Sequence, residues 1–167
     1  MKNVRIELLA GFALIIAAVA LRFFPHLPNF TPVLGVALFA SRAFSNKRLA
    51  FVVPLAAFFV SDLLLGVYDG MAFTYFSYIL IIAMGLFVKS RSQVSFALSG
   101  VLASALFFII SNFGVWFSTG MYAKTFAGLA QCYAMALPFF PATLVSTLVV
   151  GYALTYAQKS VVWLVEA

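Results

Sequence analysis

Long apolar runs, broken by short stretches of charge, proline or glycine, make up nearly all of this chain. Six runs emerge: Ile6 to Phe24, Pro32 to Phe44, Leu49 to Val67, Phe73 to Val88, Val94 to Ile110 and Pro141 to Ala157. None alternates apolar with polar at period two, so none reads as a half-buried strand, and their lengths favour helices. Most approach the ~20 residues that a helix needs to cross a bilayer. The second is shorter, and at ~1.5 Å per residue it covers only ~20 Å. It must be tilted, extended by its flanks, or sunk among its neighbours. Thr31 as N-cap and Pro32 as first helical residue mark its start. Pro54 is expected to kink the third run.

A seventh apolar stretch, Phe126 to Leu137, is too short to span and reads as a re-entrant or interfacial helix closed by Pro138 and Pro141. The predicted fold is therefore an all-α membrane protein: one domain over residues 1–167, with six transmembrane helices and a short extra helix between the fifth and sixth. The tail Val161 to Val165, with Trp163, is expected at the inner interface.

Composition strengthens this. The chain is 65% hydrophobic and 8% charged, against roughly 45–50% and about 25% for soluble domains. The basic excess, ten Lys and Arg against four Asp and Glu, suits membrane orientation better than nucleic acid, for which no module is present. With the amino terminus inside, Lys2, Arg5, Arg42, Lys47, Arg48, Lys89, Arg91 and Lys159 fall on the inner side, and Arg22 and Lys124 outside. Lys2 and Arg5 ahead of Leu8 to Ala17, with Ala18-Val19-Ala20 following, also fit a cleavable leader. Five further spans and the apolar continuation past Ala20 favour a retained helix. Asn29-Phe30-Thr31 matches the glycosylation sequon but abuts a helix start. One cysteine and one histidine exclude an intrachain disulfide and a structural zinc site.

In this topology the remaining polar residues collect at the outer ends of the runs. The first loop carries Arg22, His26, Asn29 and Thr31 between prolines; the second runs from Ser61-Asp62 to Asp69; the third, Ser111 to Phe140, opens with SNFGVW where the fifth run ends. Asp62 lies four residues before Gly66, hence ~6 Å inside its helix, and an acid inside a span is costly unless it faces a cavity or a partner. Arg22, His26 or Lys124 can neutralise it, and a structural ion pair is the plainer reading. Asn112 suits a ligand bearing amide groups or serves as a cap. Trp116, Tyr122 and Tyr133 stack on a flat ligand or join the aromatic belt, and Lys124 binds an anion or stays exposed. Cys132 is a small buried hydrophobe, or a soft ligand or reactive thiol. Ala13 with Ala17, and Ser95 with Ser99 and Ala103, form small-residue ridges for helix packing, internal or against a partner. Phosphate-loop, HExxH, GxSxG and paired-carboxylate motifs are absent from the sequence.

The stretches FPHLPNFTPVLGVALFA, LAFVVPLAAFFVSDLLLG and ISNFGVWFSTGMYAKTFAGLAQCYAMALPFFPATL resemble an uncharacterised family of small bacterial inner-membrane proteins. That family in turn resembles the substrate-binding (S) subunits of energy-coupling-factor vitamin transporters. The likeness lies in six spans, a proline-led second helix, a third helix ending Asp-Leu-Leu-Leu-Gly, and the Ala13-xxx-Ala17 pair. It implies vitamin binding by the outer loops, docking of a coupling subunit with its ATPases at Ala13 and Ala17, and both termini in the cytoplasm. A solitary branch of such proteins takes up cobalamin and ligates its cobalt through cysteine; here Cys132 is the only thiol, and the loop after span three reads VYDGMA without one.

The leading expectation is capture of a small nutrient, a vitamin or its precursor with cobalamin a candidate cargo, at the outer face of the inner membrane. Arg22, His26, Asn29, Asp62, Asn112, Trp116, Tyr122 and Lys124 would bind it, with Cys132 as cofactor ligand if the cargo is a corrinoid. The alternatives are thiol chemistry on a bound cofactor through Cys132, and a scaffold subunit acting only through Ala13 and Ala17. The partners expected are the cargo, membrane lipid and a coupling subunit, and no nucleic acid.

Overall fold

The computed structural model describes residues 4–24, 28–44, 46–88 and 92–166. Among these there is helix and turn but no strand. Seven α-helices follow in order: α1 Val4–Ala20, α2 Val33–Ala43, α3 Lys47–Leu65, α4 Met71–Phe87, α5 Gln93–Ser118, α6 Phe126–Ala136 and α7 Phe140–Glu166. A single 3-10 turn, Leu21–Phe23, extends α1, and another, Leu137–Phe139, joins α6 to α7. The starts of α3, α5 and α6 are capped by the polar side chains that precede them. Asn46 Oδ1 accepts from the Arg48 amide at 2.9 Å, Ser92 Oγ from Ser95 at 3.1 Å, and Thr125 Oγ1 from Gly128 at 3.1 Å.

Three stretches, Lys47–Leu65, Gln93–Ser118 and the continuous Phe126–Leu164, are long and apolar enough to cross a membrane, which marks a membrane protein. Their outer surfaces carry exposed Val52, Leu64, Leu98, Leu102, Ile109 and Val149, side chains that only lipid would leave uncovered without cost.

The short second helix is sunk. Val33 to Ser41 is buried throughout α2, which packs against α7, α4, α3, α1 and α5. A helix apolar all round and covered on every side has no need to match the bilayer thickness. Its closest neighbour is α7, where Gly35 lies so near that a Cβ there would sit 2.8 Å from the Gly151 amide nitrogen and 3.0 Å from Thr147 O. Ile81, Ile82, Phe58 and Phe96 complete the core around it.

Three expectations are corrected, and the small-residue ridges, expected to pack internally or against a partner, divide between the two. SNFGVW does not mark the end of a helix: α5 continues through it to Ser118, because its polar members satisfy themselves along the helix. Ser111 Oγ donates to Phe107 O at 2.7 Å and Asn112 Nδ2 to Phe108 O at 2.8 Å, the back-bonding that lets hydroxyl and amide groups sit inside an apolar helix. Pro138 and Pro141 do not close α6 with a loop, since one 3-10 turn carries the chain straight into α7. Helix α2 begins at Val33 with Pro32 as its N-cap, and no side chain caps it. Finally, the two small-residue ridges differ: Ser99 and Ala103 are buried, whereas Ala13 and Ala17 are exposed on the outward face of α1. Pro54 is carried inside α3, buried.

Candidate functional site

The 3-10 turn that follows α1 places Arg22 against the last turn of α3. There Arg22 Nη2 meets Asp62 Oδ1 at 2.5 Å and Nη1 donates to Ser61 Oγ at 2.5 Å. From α4, Tyr75 Oη donates to Asp62 Oδ2 at 2.7 Å. Both carboxylate oxygens are thus engaged, and Asp62 is 1% exposed while Arg22 is 12% exposed. Ser61 also donates to Phe58 O at 2.8 Å. A charge pair this deep survives only when hydrogen bonds satisfy the remaining lone pairs, as they do here.

Aromatic rings floor the cluster. Tyr75 lies 5.5 Å from Tyr78 between ring centres, Tyr78 lies 5.2 Å from Phe58 and stacks on Phe107 at 5.9 Å, and Phe59 meets Tyr75 edge-on at 6.4 Å. These spacings suit offset and edge-to-face attraction. Tyr68, in the turn between α3 and α4, is partly exposed. Burial still pushes its phenol above the usual value, with a hydrogen bond to Thr74 opposing the shift, so it adds no charge near neutral pH.

Among the described residues, Lys124, Trp116, Asn112 and Cys132 are engaged elsewhere than at Asp62. Lys124 Nζ caps the end of α5, donating to the carbonyls of Phe117 at 3.0 Å and Thr119 at 2.7 Å and also to that of Trp116. Its ammonium lies 5.5 Å over the Trp116 ring, while Trp116 Nε1 donates to Ala123 O at 2.9 Å. Positive charge at a helix C-terminus is favourable, and together these bonds fold the 119–125 loop onto α5. Tyr133 Oη donates to Ile109 O at 2.7 Å, joining α6 to α5. Cys132 is 2% exposed and its thiol faces Asn112 O at 3.4 Å, the position of a small packed side chain. Asn29 is exposed and adopts φ of 58° in a turn, a left-handed conformation that asparagine tolerates. Tyr122 is half-buried in the α5–α6 loop. His26 lies outside the described residues, as do Lys2, Lys89 and Arg91.

Tyr75 is the participant that sequence reasoning missed. Asp62 stands four residues before Gly66 and Tyr75 five residues after Gly70, so the two occupy matching depths on the arms of one helical hairpin. That symmetry was the available signal.

Beside the cluster, α1 and α3 diverge to leave a groove of about 530 Å³. Phe12, Ile16 and Val19 form one wall and Leu49, Val52, Ala56 and Val60 the other, and Ser61 is its one polar lining residue. Among the described residues no group of three His, Cys, Asp or Glu side chains could hold a metal ion.

No curated protein and no solved structure matches this chain. A family model does match it over residues 2–164, and the chain therefore belongs to DUF6580, a family of unknown function.

Proposed function

We propose that this chain is a six-span inner-membrane protein, with both termini cytoplasmic, that captures a small nutrient at the outer face for uptake, as a substrate-binding subunit working with an energy-coupling membrane partner. The observation that carries the reading is the buried Arg22–Asp62 pair with Tyr75 and Ser61 around it. Ionisable groups at membrane depth are rare, face cavities or partners, and mark ligand sites. The cluster gathers α1, α3 and α4 at one end of the bundle, beside the loop that leads into α2. A cargo bearing both donors and acceptors would bind here by exchanging hydrogen bonds with the donor fork, the carboxylate and the phenol, in place of those they make to one another. Eight basic residues on one side against two on the other support the orientation.

Of the six spans, α2 contributes as a buried core helix, and α1 with its 3-10 extension and α4 cross as shorter apolar helices. The outward-facing Ala13 and Ala17 suit contact with the coupling partner. No step is assigned to Cys132, because its thiol is packed against Asn112. The test is saturable binding of a vitamin panel to the purified chain, read by thermal shift and by mass spectrometry of whatever copurifies. Binding that Tyr75→Phe weakens while the helical content holds supports the reading; no saturable binding across the panel overturns it.

A further inference from the structure

The groove between α1 and α3 is walled by carbon over most of its length, and its two ends differ in charge. At one end it closes on Ser61 beneath the Arg22–Asp62 pair, which is neutral as a unit. At the other end its lining begins at Leu49, directly after Lys47 and Arg48, both exposed in the first turn of α3. Arg5, exposed on α1, stands two turns before the groove residue Phe12. Of the four acids in the chain, Asp62 and Asp69 lie at the opposite end, and Glu7, between Arg5 and Phe12 on α1, lies at this one, so on these two helices Lys47, Arg48 and Arg5 stand here against a single acid. The basic end is thus made to receive an anion, and the apolar length to receive a hydrocarbon.

From Leu49 to Leu64 the groove follows sixteen residues of α3, whose fifteen steps cover ~22 Å at 1.5 Å each. A single leaflet of hydrocarbon is about 15 Å deep. A chain entering at the basic end therefore reaches past Val52, Val53 and Ala56 and stops before Ser61. Ala56 and Ala57 are what hollow the wall at that depth, since larger side chains would fill the space.

We propose that this groove holds one acyl chain of an anionic phospholipid whose phosphate sits at Lys47 and Arg48. The lipid completes the α1–α3 contact where the two helices part, and its headgroup fixes the basic ends of both at one membrane surface. The site is separate from the Arg22–Asp62 cluster, so its failure and that of the nutrient reading are distinguishable: substitutions here leave cargo binding intact, and Tyr75→Phe leaves lipid selectivity intact.

The experiment uses the full chain, purified in detergent and stripped of lipid, titrated with phosphatidylglycerol or with phosphatidylcholine of the same acyl chains. Thermal shift and native mass spectrometry follow bound lipid. Phosphatidylglycerol is expected to bind more tightly, and Lys47→Gln and Arg48→Gln each to weaken it about fivefold, bringing the double variant to the phosphatidylcholine level. Lys159→Gln, at a basic residue of α7 that does not line the groove, should leave the preference unchanged. Ala56→Trp, whose ring fills the groove, should remove the bound lipid. Equal binding of the two lipids, or an effect of Lys159→Gln as large as that of Arg48→Gln, overturns the proposal. So does a change of oligomeric mass in Ala56→Trp without lipid loss, which would make the groove a contact between copies.

Discussion

The Arg22–Asp62 pair makes a quantitative prediction because its two partners are unequally buried. Asp62 is 1% exposed and Arg22 is 12% exposed. Replacing Arg22 by Ala strands a carboxylate in the interior with Tyr75 as the one side chain still donating to it among the described residues, and breaking a buried pair this way costs about 3–5 kcal/mol. Replacing Asp62 by Ala leaves a guanidinium that keeps Ser61 as acceptor and has a stem long enough to lift its head toward the interface. Its cost is that of the charge-assisted hydrogen bond lost by Arg22, about 1.5–3 kcal/mol, with a smaller addition from Tyr75, whose half-buried phenol also loses its acceptor. Removing both then deletes the stranded charge, so the double variant should be more stable than Arg22→Ala alone. The non-additivity must then exceed the cost of Asp62→Ala itself, so it should amount to at least about 1.5–3 kcal/mol, the upper part of the range for residues in direct contact. Reversible unfolding of the four proteins in mixed micelles, followed by helicity and by tryptophan fluorescence, measures all three differences. Costs that simply add, or an Asp62→Ala variant weaker than Arg22→Ala, would show that the pair is not held as an isolated, desolvated unit.

Other outcomes follow from single positions. Gly35→Ala should cost about 1–3 kcal/mol, because its new methyl meets the Gly151 backbone and Val150 Cβ at 2.9 Å or less; Gly120→Ala, with nothing within 4 Å, is the near-neutral control in the same assay. Lys124→Met should release three carbonyls at the end of α5, costing about 0.5–1 kcal/mol and speeding amide exchange around residues 119–125. Cys132 should resist a membrane-permeant maleimide in the folded protein and react once denaturant opens the α5–α6 contact, since its sulfur is buried against Asn112; prompt labelling of the native chain would contradict that packing.

The helices were legible because their signal is local. Apolar runs between charges and prolines located all seven, and the shortness of the second announced that it could not span on its own terms. The end of α5 was not legible. Ser111, Asn112 and Gly114 look like punctuation to a reader of sequence, yet Ser111 and Asn112 return their hydrogen bonds to carbonyls four residues back. Gly114 is there because Phe73 of α4 packs where its Cβ would be, 2.5 Å from Phe73 Cβ. Turn-forming residues lose that meaning inside a bilayer, where no water competes for the backbone and the helix is the only way to satisfy it.

The same reasoning separates the polar residues that met at Asp62 from those that did not. Sequence depth alone named Asp62 and offered Arg22, His26 and Lys124 as partners; of the two that lie among the described residues, tertiary geometry chose Arg22 because the 3-10 turn after α1 holds it beside α3. Lys124 had nearer claims on it, since the last carbonyls of α5 are unsatisfied within their own helix and a lysine seven residues on reaches them. Trp116 is bound into that same cap by its indole N–H. A polar side chain at the rim of a membrane bundle is claimed first by the nearest open backbone group. Those left over are the ones buried beyond such reach, and here they are Arg22, Asp62 and Tyr75, three side chains that must answer one another across three helices.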